Sequence, residues 1–515
     1  MVQITIDNRR LTGMGILPPV AKELSDRLSY LQAGYRHSIA FQERRWDGRR
    51  RLVSFSGDGV LTAPLGMSEG VVEFLRELKI DYEIADKRIF PDYRLGLDTN
   101  FQYNQLRDYQ MVALRAAVTK RGLLGLRGRG IIKMPPRSGK TLTAAGIIAS
   151  LDVRTLFIVP STLLLYQAKK SLEEALKIEV GVIGNQEWDI KDVTVATVQT
   201  LIARRGHAGR GKPPTKDYVR LLRSMDLLIV DECHHLSGES EWRKVIQDSS
   251  AAYKIGLSAT VFLEHERECE LGVIWLRACT GEILVDISTS DLIEAGYLVR
   301  PEIRLYPVRE PDYHKSKWSA TLQKRAVYKN PHRNRLIVEL ALRLMKEQMQ
   351  VVVITNRVEQ IGILFRGLID SGGRDLLAAR ITGGTTKEER EKILHAFRQG
   401  TIKILVSTVM DEGIDLPEID AVINAEGGCD IKSTYQRMRC LTPAPGKTRA
   451  VVVDFIDLTN RYFASHSLDR LAAYRAEKAF KVKVYKDYPP IAGRSDDKSV
   501  ISASAGTGRD RARSA

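Results

Sequence analysis

From about residue 99 onward, short apolar runs recur with helix-length stretches between them: residues 130–134, 155–159, 193–196, 227–230 and 254–257. The pattern returns at residues 351–355, 402–407, 421–424 and 449–455. Runs of this kind are too short for buried helices and too continuous for half-solvated strands, so they read as strands covered on both faces. Such strands lie parallel and need crossovers, which the amphipathic stretches between them supply. Two parallel-sheet α/β domains in tandem are expected, joined somewhere between Leu284 and Pro307. A length of 515 residues suits two to four domains, and 43% hydrophobic with 28% charged residues is ordinary globular composition. No repeat at solenoid period stands out.

The first ninety or so residues have another texture and read as a small α+β unit. Strands are expected at Gln3–Ile6, Tyr35–Phe41 and Arg50–Phe55, with helices at Val20–Leu31 and Val71–Leu78 and a turn at Gly57-Asp58-Gly59. The expected division is residues 1–98 for this unit, 99–285 and 286–460 for the two α/β domains, and 461–515 for a helical extension ending in a disordered basic tail from about Arg494. The glycine-, proline- and lysine/arginine-rich segment Arg204–Lys216 reads as a mobile surface loop interrupting the first α/β domain.

A formal net charge of +16 points to a polyanionic partner. Nucleic acid is favoured over lipid, because the longest apolar stretches are strand-sized and no membrane segment is expected. The N-terminus, MVQITIDNRR, lacks the layout of a secretory signal, so a cytoplasmic protein is expected. Five scattered cysteines, Cys233, Cys269, Cys279, Cys429 and Cys440, form no Cys-x-x-Cys pair and read as reduced thiols.

The stretch KMPPRSGKTLT, residues 133–143, follows an apolar run and opens a helical one. A phosphate loop needs converging backbone N–H groups, a helix N-terminus, a lysine for the β and γ oxygens and a hydroxyl for Mg²⁺. Pro136, Arg137, Ser138 and Gly139 would form the loop, Lys140 would reach the phosphates, and Thr141 would hold Mg²⁺, although Met134 occupies the usual first glycine position. Ninety residues later Leu227-Leu228-Ile229-Val230 runs into Asp231-Glu232-Cys233-His234-His235. Carboxylates at the tip of a buried strand suit Mg²⁺ coordination by Asp231 and water activation by Glu232. A solvated acidic turn rarely follows four aliphatic residues, and the two histidines lack a third ligand at zinc spacing. Gly256-Leu257-Ser258-Ala259-Thr260 comes next after another strand.

In this order the three segments resemble motifs I, II and III of superfamily 2 helicases. Leu106-Arg107-Asp108-Tyr109-Gln110 resembles the adenine-side motif of the UvsW/XPB and type III restriction branch, which implies base recognition by Gln110 beside Arg107. Pro160 and Ser161 fall in a segment similar to motif Ia, Thr197 and Gln199 in one similar to motif Ib, Thr355 in motif IV and Thr408 in motif V; the resemblance implies DNA-backbone contacts there. Gly413 and Asp415 complete the motif V likeness on the nucleotide side. The likeness covers roughly residues 100–458, and Pro-x-x-Ser-Gly-Lys-Thr is a tolerated loop variant within the branch. It implies two RecA-like domains, ATP and Mg²⁺ as cofactors, and a motif VI whose arginines reach the γ-phosphate from the second domain. Motif VI departs from the family pattern: Gln436, Arg437 and Arg439 are present, but Met438 replaces or displaces the glycine and Thr442 stands where a second arginine is usual. Arg437 and Arg439 are left to cover that role between them.

Residues 36–51 hold six arginines against two acids, with Trp46 in their midst. Arg44, Arg45 and Arg49 are placed to meet phosphates and Trp46 to stack on a base, a combination suited to junctions or single strands. The alternative is a solvated hairpin whose tryptophan packs in the small domain's core. A Trp-Asp-Gly-x-x-Arg-Leu hairpin also resembles the N-terminal domains of UvsW-type phage helicases, which raises the DNA reading and implies a host cytoplasm if the chain is phage-encoded. The resulting expectation is an ATP-dependent DNA helicase or translocase acting as a monomer on duplex or branched DNA in repair, recombination or replication. A restriction motor subunit, an RNA helicase and a non-catalytic DNA-binding scaffold remain as alternatives.

Overall fold

The computed structural model describes residues 1–32, 35–56, 58–98, 100–119, 124, 127–206, 213–237, 240–259, 269–373, 376–408, 416–428, 439–444, 446–447 and 449–486. The chain divides into two compact units, Met1–Ile287 and Ser288–Ala515. The first holds the small N-terminal domain together with one α/β domain; the second is the other α/β domain.

The N-terminal domain is a five-stranded sheet with the spatial order Ser54–Phe55, Leu61–Pro64, Arg10–Met14, Val2–Ile6 and Tyr82–Asp86. Val2–Ile6 pairs antiparallel with Arg10–Met14 and parallel with Tyr82–Asp86. Its alternating Val2, Ile4 and Ile6 point into a core with Leu11, Leu24, Leu61, Val71, Phe74 and Leu75, to which the helices Pro18–Arg27 and Ser68–Glu77 contribute. The expected strand at Tyr35–Phe41 is not formed. A 3₁₀ turn at Tyr35–His37 and a short helix at Ile39–Gln42 take its place, because Ser38 caps the helix by accepting the Phe41 N–H at 3.2 Å. Tyr35 and Phe41, which alternation would have set on one strand face, instead meet edge to face at 4.8 Å.

The α/β part of the first unit carries an eight-stranded sheet, ordered Glu187–Asp189, Gly181–Gly184, Val193–Thr197, Thr155–Val159, Leu227–Val230, Tyr253–Ser258, Arg129–Lys133 and Ile283–Asp286. Every pairing is parallel except that of the edge strand Glu187–Asp189. The strands from Thr155, Val193, Leu227 and Tyr253 are buried end to end, as continuous apolar runs between helical layers require. Of the Arg204–Lys216 segment, Arg204 and Arg205 end the helix Val198–Arg205 and Lys216 begins the helix Lys216–Ser224; residues 207–212 lie outside the described set.

The second unit has a seven-stranded, wholly parallel sheet: Ala378–Ile381, Ile404–Ser407, Val351–Ile354, Ala421–Asn424, Ala450–Asp457, Pro301–Val308 and Lys481–Val484. Past residue 460 the chain is not helix alone, since Arg461–Ala476 is followed by Lys481–Val484 on the edge of this sheet. The tail from Arg494 lies outside the described residues.

Candidate nucleotide and nucleic-acid site

Parallel sheets place functional residues at the carboxyl ends of their strands, where helix N-termini converge. In the first unit Arg129–Lys133 leads through Met134 and Pro135, both buried, into the loop and then the helix Lys140–Leu151. Met134 takes the place of a glycine by turning inward, fully covered, while its N–H donates to Ser258 O at 2.9 Å. Ser138 Oγ donates to Pro135 O at 2.7 Å and closes the turn. Two residues adopt the left-handed conformation, Gly139 at φ 75° and Arg137 at φ 67°. Glycine does so freely, whereas a non-glycine there stores about 1 kcal/mol or more, the kind of strain found at ligand loops.

A second layer fixes this loop from below. Gln110, 2% exposed, donates through Nε2 to Ser138 O at 2.9 Å and accepts the Arg107 N–H on Oε1 at 2.9 Å. Tyr109 donates its hydroxyl to the same Ser138 O at 2.9 Å. A Cβ on Gly139 would lie 2.4 Å from Gln110 Nε2, so the glycine is needed for close approach as well as for its φ. The side chain expected to read a base is here engaged with the loop's carbonyls; Arg107 is exposed beside it.

Leu227–Val230 delivers the paired carboxylates to the same end of the sheet. The Asp231 N–H donates to Ile158 O on the neighbouring strand at 2.9 Å, and its Oδ1 accepts the Glu232 N–H at 3.0 Å. Glu232, held at φ 47°, aims its carboxylate back at the loop, where Lys140 Nζ lies 3.2 Å from Oε1. The other oxygen makes no hydrogen bond among the described residues, with His234 Nδ1 at 3.4 Å. His234 Nδ1 also lies 3.0 Å from Ser258 Oγ, so one imidazole touches the acidic segment and the Ser-Ala-Thr segment at once. Burial pushes the Glu232 carboxyl up, but Lys140 and His234 outweigh it and hold the group below the usual carboxylate range. Burial likewise works against the Lys140 charge, and Glu232 and Asp231 more than restore it. The buried Cys233 thiol is pushed far up and stays protonated. His234 is the participant that reading the sequence missed. It lies within the segment likened to motif II, but neither that likeness nor a metal spacing pointed to its contact with Ser258.

The residues present suit a triphosphate with its divalent cation: a left-handed loop at a helix start, a half-buried ammonium paired among the described residues with a displaceable carboxylate, and two further oxygen donors, Thr141 and Asp231, at the same sheet end.

The expected DNA-backbone residues of the first α/β domain also come together. Gln199 Nε2 donates to Pro160 O at 2.6 Å, joining two adjacent strand ends, and Ser161 caps the helix Thr162–Leu176. Thr197 is 3% exposed and its hydroxyl lies 2.9 Å from that of Thr200. In the second unit Thr355, 1% exposed, donates to Gln360 Oε1 at 2.6 Å, so its hydroxyl is inside the protein's own network; Thr408 is half-buried. Gly413, Asp415, Gln436 and Arg437 lie outside the described residues, and Arg439 begins the 3₁₀ turn Arg439–Leu441.

Sequence patterns gave no sign of a buried ion network in the second unit. Arg333 Nε donates to Asp457 Oδ1 at 2.9 Å and Nη1 to Ala425 O at 2.6 Å. Arg470 binds Asp454 through Nε at 2.9 Å and Nη2 at 3.1 Å, and donates from Nη1 to Gly428 O. Both arginines therefore grip carbonyls of the loop that follows Ala421–Asn424 and enters the expected motif VI.

Trp46 is absent from the N-terminal core. It is half-buried beside Arg36, Phe41, Arg44, Arg45 and Asp47 around a surface hollow of about 550 Å³. Its Nε1 donates to Arg49 O at 2.7 Å, and the Arg50 guanidinium lies 5.4 Å from its ring centroid. Arg49 spends one Nη1 bond on Ser29 Oγ at 3.0 Å, and Arg45 pairs with Glu43.

Two parallel-sheet domains, the first carrying a phosphate-type loop against paired strand-tip carboxylates, define a nucleotide-hydrolysing motor. Residues 103–263 match the family described as "Type III restriction enzyme, res subunit", and residues 332–439 the "Helicase conserved C-terminal domain". The chain is 26% identical over 397 residues to "DNA 3'-5' translocase XPB2" of Sulfurisphaera tokodaii, covering 70% of this chain and 82% of that one. It is 23% identical over 501 residues to "ATP-dependent DNA helicase uvsW" of Enterobacteria phage T4, covering 88% and 93%. Other archaeal and bacterial relatives are matched over 46% to 64% of their length. Among solved structures, the DNA-bound Type ISP restriction-modification enzyme LlaBIII shares the fold at a TM-score of 0.52 and 16% identity, over 81% of this chain and 34% of that one. The chain belongs to the superfamily 2 helicases of the UvsW/XPB type, which are ATP-dependent motor enzymes.

Proposed function

We propose that this chain couples ATP hydrolysis to translocation on, and remodelling of, duplex or branched DNA in repair, recombination or replication. The observation that carries the reading is the 3.2 Å contact between Lys140 and Glu232, which ties the loop to the strand-tip carboxylate within one half-buried site. Lys140 would exchange Glu232 for the terminal phosphates, and the Glu232 carboxylate so released would accept a proton from the attacking water. Thr141 and Asp231 would hold the Mg²⁺, whose chemistry is to neutralise developing charge on the phosphate oxygens. His234, touching Glu232 and Ser258 together, would pass the change in Glu232 to the strand Tyr253–Ser258. The basic hollow around Trp46 supports DNA as the track, through arginine contacts to phosphates and stacking on the ring. No helix among the described residues is long and apolar enough to cross a membrane.

The test is phosphate release with and without DNA, using forked, four-way-junction, single-stranded and RNA substrates. Turnover stimulated by DNA and abolished in Lys140→Ala supports the reading. Equal stimulation by RNA removes the DNA assignment, and undiminished turnover in Lys140→Ala removes the site.

A further inference from the structure

The strand that feeds the phosphate loop begins, roughly 13 Å from Lys133 at about 3.3 Å per residue, with a charged residue that the motor chemistry does not use. Arg129 opens this strand and pairs in register with Lys254 on the adjacent one. Both are buried, at 4% and 3% exposure. Lys254 Nζ is satisfied by Ile246 O at 2.9 Å and Ser249 O at 2.7 Å. Arg129 is not: its Nε and Nη1 have no hydrogen-bond partner among the described residues.

Both side chains line a cavity of about 250 Å³ between the sheet's starting end and the N-terminal domain. From the other side come Arg9, which donates to Asp248 O at 2.6 Å, and Arg10, exposed at the rim and only 3.5 Å from Asp7. Three guanidinium groups and the Lys254 amine, whose charge burial and the neighbouring Arg129 disfavour, thus surround this space, and no described aspartate or glutamate lines it. A buried guanidinium without a counterion is among the least favourable arrangements in a protein interior, and arginine relieves it poorly by losing its proton. A phosphate oxyanion would supply what is missing, since its oxygens accept parallel N–H bonds from the guanidinium fork.

We propose that the Arg129 cavity is a second anion site that binds a phosphate group, at the junction of the N-terminal and ATPase domains and apart from the nucleotide loop. The N-terminal domain is already fastened close by: Trp275 Nε1 donates to Tyr30 OH at 2.6 Å, and Asn8 Nδ2 donates to Ser250 O at 3.1 Å. An anion gripped by Arg9 and Arg10 on one side and Arg129 on the other would add a link across that seam.

The experiment is thermal melting of the full chain in Lys140→Ala background, so that the nucleotide loop does not contribute, titrated with inorganic phosphate against chloride at constant ionic strength. A saturable rise in melting temperature is expected, as for any ligand that binds only the folded state. Arg129→Met should abolish the rise while melting in chloride no lower than its parent, because it removes an unpaired buried charge. Arg10→Gln, at the exposed rim, leaves folding untouched and should weaken half-saturation by about tenfold, the loss of one charged contact. Three competition arms identify the source of the phosphate. Loss of the phosphate response in the presence of a short single-stranded oligonucleotide assigns it to nucleic acid, loss with ADP assigns it to a nucleotide, and persistence with both assigns it to free phosphate. Equal melting in phosphate and chloride, or a phosphate response unchanged in both variants, overturns the proposal.

Discussion

Glu232→Gln separates the two tasks assigned to one side chain. In the free protein Glu232 accepts a charge-assisted hydrogen bond from Lys140 at 3.2 Å, with both side chains about 15% exposed or less. Such a bond contributes roughly 1.5–3 kcal/mol, against roughly 0.5–1.5 kcal/mol for a neutral acceptor. The amide keeps the shape and gives up Lys140 for about 1 to 1.5 kcal/mol less, so ATP binding should tighten about 5- to 10-fold. Hydrolysis should fall by about 10² to 10⁴, the usual contribution of a positioned general base. The same carboxyl sits below its unfolded range, so its stabilisation is complete above the unfolded value near 4.5 and is lost as pH falls through the lower folded one. The parent should therefore lose more stability than the variant between about pH 5 and pH 3. Nucleotide titration calorimetry, single-turnover hydrolysis and urea melts at several pH values measure the three quantities. Turnover within threefold of the parent would refute the base assignment, and unchanged ATP affinity would refute the idea that Lys140 must leave Glu232.

In the second unit, Arg333→Met strands the fully buried Asp457 and should destabilise the protein by about 3–5 kcal/mol, read as a lower denaturant midpoint; adding Asp457→Leu should recover most of it. Trp46→Ala should weaken single-stranded DNA binding by about 1–3 kcal/mol with little loss of stability, since the ring is outside the core, and Arg44→Ala should lower the salt slope of binding by about one. Gly66→Ala places a methyl 2.0 Å from Arg277 O, so the N-terminal domain should lift from the helix Cys269–Thr280 and limited proteolysis should cut between them faster than in the parent.

The two sheets and their central strands were legible in the sequence because a strand buried on both faces must be continuously apolar, and such runs stand out whatever surrounds them. The residues proposed for the nucleotide site could be singled out for a similar reason: Gly139, Lys140, Thr141, Asp231 and Glu232 lie within short segments whose order the chain preserves. Edge and small-domain strands such as Arg10–Met14, Leu61–Pro64 and Lys481–Val484 were not, since each is half solvated and is decided by its partner. The Tyr35–Phe41 segment has strand-like composition, but a serine cap and an aromatic contact, both local, decided for a helical turn.

What the sequence determined alone was the class of fold and the candidates for the proposed nucleotide site, because periodicity and short motifs are properties of neighbours along the chain. Tertiary structure decided which groups meet. Met134 can replace a glycine only because Ser258 and the sheet enclose it, and His234 joins Glu232 to Ser258 across two strands. Arg129 Nε and Nη1 find no hydrogen-bond partner among the described residues because the side chains lining the cavity beside them, drawn from segments more than a hundred positions apart, bring two further guanidinium groups and an amine but no described carboxylate. Charge compensation depends on distances in space, and no pattern along one strand encodes it.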